Sequence, residues 1–222
     1  MKKILLVLVC LVMSACMFAG CAQKDPDDAN GGDKNGYSVG VQSGTTGQFY
    51  IEGSEDLEFD GFSNITLRKF NNAGLAVKDM LNGNLDAVVV DEGPAGELVK
   101  ANKGVKLIDI RLTDEEYAFG VDKNNDELLN KVNEFITKAM SDGTIEGIMN
   151  KYFNEEGEIT GIESAALDNS RADEQLVVAT NAAFPPFEYT LGDKFAGIDM
   201  EIAAALADYL GMELVIPVSN TH

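Results

Sequence analysis

The sequence predicts an α/β protein in which mainly parallel strands are flanked by helices. Short runs of β-branched and aromatic residues alternate along the chain with helix-length segments that end at Gly or Asn. One strand, turn and helix start, "SVGVQSGTTGQFYIEG" at 38–53, has a similar counterpart, "LVVATNAAFPPFEY" at 176–189. In parallel sheets of this kind, ligands bind beyond the carboxyl ends of the strands.

The N-terminus predicts an export signal. Lys2 and Lys3 precede a short apolar run at 4–20, which polar residues follow closely. The run ends in "MFAGC", which resembles the lipobox of bacterial lipoproteins and implies cleavage before Cys21 and acylation of its sulfur. The alternative is an ordinary secretory signal with a small-residue cleavage site. The polar, Gly- and Asp-rich residues that follow predict a flexible tether.

Beyond the tether, the predicted elements are short and alternate. Strands are expected at 37–42, 64–70, 85–91, 105–110 and 116–121, and helices at 73–84, 92–104, 125–143 and 144–154. In the third of these helices, Leu128, Val132, Phe135 and Ile136 recur at helical spacing and predict a buried stripe.

A polar stretch at 155–175 then predicts a linker or a frayed helix, and the strand and helix pattern starts again behind it. This last block contains a buried strand at 176–179, a Pro-Pro loop, an Ala-rich helix at 199–210 that Gly211 ends, and a strand at 213–218.

Composition excludes several classes of function. The 222 residues allow one medium domain or two small ones, and the net charge of −20 argues against nucleic acid binding. Cys21 is the one cysteine that remains once the signal is removed, and acylation consumes its thiol, while the one histidine is His222. Nucleophilic triads are therefore excluded, and the acidic clusters lack the spacing of an EF-hand loop. Neither a metal nor a cofactor is expected.

Several long blocks resemble the solute-binding lipoproteins of polar amino acid ABC importers, which have a type II periplasmic-binding fold with two α/β lobes and a hinge. "LVVATNAAFPPFEY" and "GIDMEIAAALADYLG" resemble the beginning of that binding domain. "VGVQSGTTGQFY", "DAVVVDEGPA" and the stretch from "EEYAFGV" to "NKYF" resemble its second lobe and the return into the first. The resemblance implies an amino acid ligand, an ABC permease as partner and membrane attachment through lipid on the extracytoplasmic side.

The order of these blocks departs from the family, in which the "LVVAT" block comes first. The middle of the family's domain, with its turn G-x-S-x-T-x-x-R, has no counterpart here: the three arginines are Arg68, Arg111 and Arg171. The expected fold is therefore an incomplete and permuted version of the two-lobed fold. Two origins fit, namely a rearrangement or a deletion that joined parts of two copies.

The expected segments are a signal peptide at 1–20, a tether at 21–36, a second-lobe-like segment at 37–111, a first-lobe-like return strand and helices at 112–154, a linker at 155–175 and a truncated first-lobe N-terminal segment at 176–222.

The resemblance assigns the ligand residues one by one. It places the ligand carboxylate at Gly44, Thr45 and Thr46, where a helix N-terminus offers N–H groups and hydroxyls. It places the α-ammonium at Asp91, which follows the strand "DAVVV". An ordinary helix N-cap is the alternative at both positions.

For the ligand side chain, the resemblance assigns an aromatic wall to Phe184 and a polar contact to Asn181. Phe187 and Tyr189 are expected in the core. The second aromatic wall of the family is absent from 219–221, which read Ser-Asn-Thr. Because the carboxylate-clamping Arg is also absent, binding is expected to be weak or lost. The alternatives are a degenerate fragment that binds nothing and an enzyme on the same fold.

Overall fold

The computed structural model describes residues 36–56, 58–108, 110–114 and 116–217. Its first part is a three-stranded parallel sheet of β1 (Tyr37–Gln42), β2 (Ile65–Phe70) and β3 (Ala87–Val89), in the order β2-β1-β3. Helices α1 (Thr46–Glu52), α2 (Ala73–Leu81) and α3 (Glu92–Ala101) follow the three strands in turn. The parallel order expected from the sequence is confirmed for these strands, and their carboxyl ends lie at one edge.

β1 is the central strand of this sheet, and one of its side chains binds the first turn of α2. Val39 and Val41 are buried, as expected for a strand covered by helices. The buried Gln42 side chain accepts a hydrogen bond from the Ala73 N–H at 3.1 Å, at the first turn of α2. The Asn72 side chain caps the same helix by accepting from the Leu75 N–H at 2.9 Å.

Two helices follow, α4 (Asp126–Ser141) and α5 (Thr144–Phe153). The stripe predicted for α4 is confirmed. Val132 and Phe135 are buried, and Leu128 and Ile136 are partly buried against the same core. Asn125 caps α4 by accepting from the Leu128 N–H at 3.0 Å.

The last part of the described chain contains a second set of five short strands. β4 (Gln175–Val177) pairs in parallel with β8 (Glu213–Val215), and β5 (Ala183–Phe184), β6 (Glu188–Leu191) and β7 (Lys194–Ala196) form an antiparallel sheet. Helix α6 (Ile198–Leu210) connects β7 to β8 and ends at Gly211, which adopts the left-handed conformation. α4, α5, α6, β4 and β8 together enclose the main hydrophobic core.

Two predicted strands are wrong. In the described parts of 105–110 and 116–121, no residue belongs to a strand. A strand needs a neighbour for its N–H and C=O groups, and its sequence does not supply that neighbour. Leu107, Ile108 and Ile110 are correspondingly exposed, at 48 to 68 %.

The segment 155–175, expected to link the two blocks, is attached to the strands that follow it. Ile162 exchanges two backbone hydrogen bonds with Phe195 of β7, at 2.7 and 2.9 Å. The Ala165 N–H donates to the Leu214 carbonyl of β8 at 2.9 Å. A short 3₁₀ helix (Asn169–Glu174) then leads into β4. That the 155–175 segment is a domain boundary stays a prediction.

Within the ranges that the structure describes, no helix combines the length and the apolar character needed to cross a membrane. The expected signal peptide, Cys21 and the tether up to residue 35 lie outside the described residues.

Candidate functional site

The turn between β1 and α1 carries the expected carboxylate site. Thr45 precedes α1 with an extended backbone, and its hydroxyl donates to the Gln42 carbonyl at 2.9 Å instead of capping the helix. Gly44 has φ +78°, and a Cβ built there would meet nothing within 4 Å. Its N–H donates to the Gln48 side chain at 2.9 Å. The turn therefore faces open space, and the N-cap alternative does not describe the Thr45 side chain.

Thr46 and Asp91 lie at neighbouring strand ends, as the parallel topology predicts. Val41 of β1 is the register partner of Val89 of β3. The first turn of α1 packs on the end of β3, since a Cβ at Gly47 would lie 3.2 Å from the Val89 Cγ1 atom and 3.3 Å from its carbonyl oxygen. This close approach requires a residue without a side chain. Whether the two residues bind a ligand stays a prediction.

Asp91 immediately precedes α3, and its side chain does not cap the helix. Its Oδ2 atom instead accepts a hydrogen bond from the Tyr117 hydroxyl at 2.7 Å. The next residue, Glu92, is exposed and forms a long ion pair of 3.8 Å with Arg111. Asp91 therefore occupies the N-cap position without a side-chain capping bond, and its carboxylate stands at the sheet edge where the ammonium site was expected.

Phe184 belongs to a group of stacked aromatic rings. It is half-buried and stacks on Phe187 at a centroid distance of 6.0 Å. Phe187 is buried, as expected, and Tyr189 is half-buried against the same core. The Tyr117 ring packs on Phe187 at 4.7 Å. Through these two rings, the expected aromatic wall is connected to Asp91.

Tyr117 was missed by the sequence reasoning. It falls in a segment predicted as a strand, and nothing in "EYAFGV" marks one aromatic hydroxyl as the partner of a carboxylate 26 residues earlier. Asn181 is half-buried and follows β4, near the carboxyl edge of the β4-β8 pair, where the Thr180 N–H reaches the Pro217 carbonyl at 3.5 Å. The structure gives no contact that joins Asn181 to Asp91 or Thr46 within the described chain.

Two carboxyl groups beside this site have strongly shifted pKa values. Glu188 of β6 pairs with Asp199, which lies in the first turn of α6. Burial, the Asp199 charge and the hydrogen bond between them raise the pKa of Glu188 to about 8, and the Asp91 charge adds to this shift. Burial raises the pKa of Asp199 to about 6, although its hydrogen bond with Glu188 acts in the opposite direction. The pair therefore keeps a proton near neutral pH.

A cavity of about 350 Å³ lies against the Pro185–Pro186 turn, between α3 and α5. Its walls include Glu97 and Lys100 of α3, and Lys151 and Tyr152 of α5. The charged groups already have partners: Lys100 pairs with Glu97 at 2.9 Å, and Lys151 pairs with Glu201 of α6 at 2.6 Å. In the part of the chain that the structure describes, three or more acidic, His or Cys side chains nowhere gather in a way that could hold a metal ion.

Comparison with known proteins gives one family. Residues 30–155 match the model of "Bacterial extracellular solute-binding proteins, family 3". The "Putative ABC transporter arginine-binding protein 2" of Escherichia coli (strain K12) is 33 % identical over 123 residues, which are 53 % of this chain and 48 % of that protein. The "Probable histidine-binding protein" of Neisseria gonorrhoeae is 32 % identical over 122 residues, 54 % and 44 % of the two chains.

The "L-cystine-binding protein TcyJ" of Escherichia coli (strain K12) is 26 % identical over 122 residues, which cover 54 % of this chain and 43 % of that protein. The chain thus spans about half the length of the curated relatives that it matches. No solved structure matches it significantly. The family match ends at residue 155, so the block from 176 onward lies outside it.

Proposed function

Because the chain belongs to family 3 of the bacterial extracellular solute-binding proteins, we propose that it is the extracytoplasmic amino acid-binding component of an ABC importer. The expected α/β class of the type II periplasmic-binding fold is that of the family. Family members bind solutes and are not enzymes. The names of these relatives, which refer to arginine, histidine and cystine, support an amino acid as the ligand and an ABC permease as the partner.

The parallel pairing of β1 and β3, which places the strand ends before Thr46 and Asp91 side by side, carries this proposal. An amino acid presents a carboxylate and an ammonium group on the same carbon, so its site needs donors and an acceptor close together. In the turn at Gly44, Thr45 and Thr46, the Gly44 N–H and the Thr45 hydroxyl already bind Gln48 and Gln42, so the Thr46 N–H and hydroxyl are the donors proposed for the carboxylate. Asp91 is the acceptor proposed for the ammonium. Phe184 offers an apolar face to the ligand side chain. Asn181 is proposed for a contact with the polar end of the ligand.

We further propose that the affinity of the chain by itself is weak or absent. Bidentate Arg contacts are among the strongest carboxylate anchors, and each of the three arginines already pairs with a carboxylate of the chain itself. Arg68 pairs with Asp79 at 2.8 Å, Arg111 with Asp114 at 3.2 Å and Arg171 with Glu174 at 2.8 Å. The ligand carboxylate would then depend on the β1–α1 turn alone.

Isothermal titration of the purified protein with a panel of amino acids tests both statements. Weak or undetectable heats are expected, and a submicromolar dissociation constant for any amino acid would contradict the second proposal. A chimera that receives the missing middle segment from a relative should bind an amino acid. In that chimera, Asp91→Ala should cost roughly 2–5 kcal/mol of binding free energy, because the ligand ammonium loses its partner.

The neighbouring Glu92→Ala is the matched control in the chimera, since Glu92 is exposed and pairs with Arg111. It should leave the affinity unchanged. A chimera that binds no amino acid would favour the degenerate fragment, and turnover of an amino acid without tight binding would favour an enzyme on the same fold.

We also propose that Cys21 carries a diacyl anchor that attaches the protein to the membrane. One acyl chain gives only marginal binding, whereas two hold a protein stably. Cys21→Ser should move the protein into the soluble fraction while export continues, and Cys16→Ser, within the apolar run, should leave it on the membrane. If the Cys21 variant stays bound after a high-salt wash, the apolar run itself anchors the chain.

A further inference from the structure

Two helices from distant parts of the chain meet at one turn, formed by residues 185–188. The start of α6 is bound to it directly: the Ile198 N–H donates to the Pro186 carbonyl at 3.0 Å, and the Asp199 N–H donates to the Phe187 carbonyl at 2.9 Å. Gly197 permits this approach with φ +126°, since a Cβ there would lie 2.5 Å from the Phe187 carbonyl carbon. The first turn of α6 is therefore hydrogen-bonded directly to the 185–188 turn.

The start of α3 also contacts this turn, although α3 lies far before it in the chain. A Cβ at Gly93 would lie 3.3 Å from the Phe187 ring and 3.4 Å from the Pro186 Cδ atom. Tyr117 strengthens this contact, because its ring packs on Phe187 and its hydroxyl holds Asp91. The contact joins the second-lobe-like part of the chain to the first-lobe-like part.

Three acidic residues adjoin the Phe187 contact and are called the carboxyl cluster below: Asp91, which binds the Tyr117 hydroxyl, Glu188, which follows Phe187 in the chain, and Asp199, whose N–H donates to the Phe187 carbonyl. The charges of Asp199 and Asp91 both act on the Glu188 carboxyl. The charged groups of the neighbouring elements are engaged elsewhere. Lys151 and Tyr152 of α5 bind Glu201 at 2.6 and 2.7 Å, and Arg111 pairs with Glu92 and Asp114.

We propose that the contact between the 185–188 turn and the start of α3 depends on a proton: it holds while the Glu188–Asp199 pair is protonated, and it weakens when both groups are ionised and face Asp91. Loss of the proton places three like charges at one partly buried contact, while Lys151 and Arg111 are paired with other carboxylates. The proposal needs no bound amino acid, so it is independent of the proposed function.

The direction in which stability changes with pH follows from the raised pKa values of the two carboxyl groups. The pKa values of Glu188 and Asp199 are raised in the folded state, so the folded protein binds more protons than the unfolded chain. Stability must then fall as the pH rises towards about 8, where Glu188 ionises. The partial positive charge at the start of α6 favours ionised Asp199, which makes Glu188 the group that holds the proton.

Thermal unfolding of the full-length protein, followed by circular dichroism at several pH values, tests the proposal. Glu188→Gln mimics the protonated group, so its melting temperature should equal that of the wild type at about pH 4 and exceed it by about 5 °C at about pH 9. Glu158→Gln, at an exposed position outside the carboxyl cluster, should follow the wild type throughout. A difference between Glu188→Gln and the wild type that does not change with pH would overturn the proposal.

Hydrogen exchange at about pH 9 then shows which part of the chain opens when the contact weakens. Peptides that contain 185–188 or 116–121 should exchange faster in the wild type than in Glu188→Gln, whereas peptides from β1 should not differ. Asp199→Asn provides a second route if the first variant does not fold, and it should protect the same peptides. Equal exchange in the wild type and in the folded variant would exclude a proton-dependent contact at this turn.

Discussion

Gly197→Ala tests whether the close approach between α6 and the 185–188 turn holds this part of the fold together. The backbone at Gly197 has φ +126° and ψ +165°, a region in which L-residues are strained by roughly 1–3 kcal/mol. The added methyl group would also lie 2.5 Å from the Phe187 carbonyl carbon and 2.8 Å from the Glu188 nitrogen, which are backbone atoms that cannot rotate away. Overpacking of this kind costs typically 1–3 kcal/mol.

The two contributions together predict a loss of about 4 kcal/mol in the free energy of unfolding. Gly211→Ala, at the other end of the same helix, is the matched control. Gly211 also has a positive φ, of +69°, but a Cβ there would meet nothing within 4 Å. Its substitution should therefore cost only the strain of a left-handed backbone with a side chain, about 1 kcal/mol of unfolding free energy.

Urea denaturation followed by circular dichroism measures both variants, and linear extrapolation gives the two free energies. The reasoning requires Gly197→Ala to be clearly the less stable of the pair. Equal losses would mean that the start of α6 moves away from the turn at little cost, and that the contacts around Phe187 do not fix the helix.

Two further substitutions test the core. Glu201→Ala should cost roughly 3 kcal/mol in urea denaturation, because it leaves Lys151 and the Tyr152 hydroxyl without their partner in a mostly buried place, whereas removing the exposed Glu127 should change little. Met200→Ala should cost about 3 kcal/mol, since Met200 is 1 % exposed, and Met140→Ala, at 67 % exposed, should be close to neutral in the same assay. Losses of similar size within either pair would contradict the burial that the structure assigns.

The elements with strong local signals could be predicted from the sequence. β1 is a β-branched run followed by a Gly and Thr turn, and α6 is an Ala-rich helix that Gly211 ends. The adjacency of Thr46 and Asp91 was also predictable, because parallel pairing by itself brings carboxyl ends of strands to one edge.

Features that depend on tertiary partners could not be predicted in this way. The residues at 105–110 have the composition of a strand, yet a strand exists only where another strand can pair with it. The contact between Tyr117 and Asp91 joins residues that no periodicity relates. Likewise, Glu188 and Asp199 look like ordinary surface acids in the sequence, and their shifted pKa values arise from burial at the 185–188 turn.

The main core has a consequence for how the protein folds. It brings α4 and α5 together with α6, which are separated in this chain only by the 155–175 segment and the short strands after it. In the order that the family resemblance implies, the same pieces stand at opposite ends of the binding domain. Since each doubling of a loop adds only about 0.6 kcal/mol to its closure cost, the shorter connection changes stability little. It lowers the sequence separation of the core contacts, however, and so favours a folding nucleus in the C-terminal half.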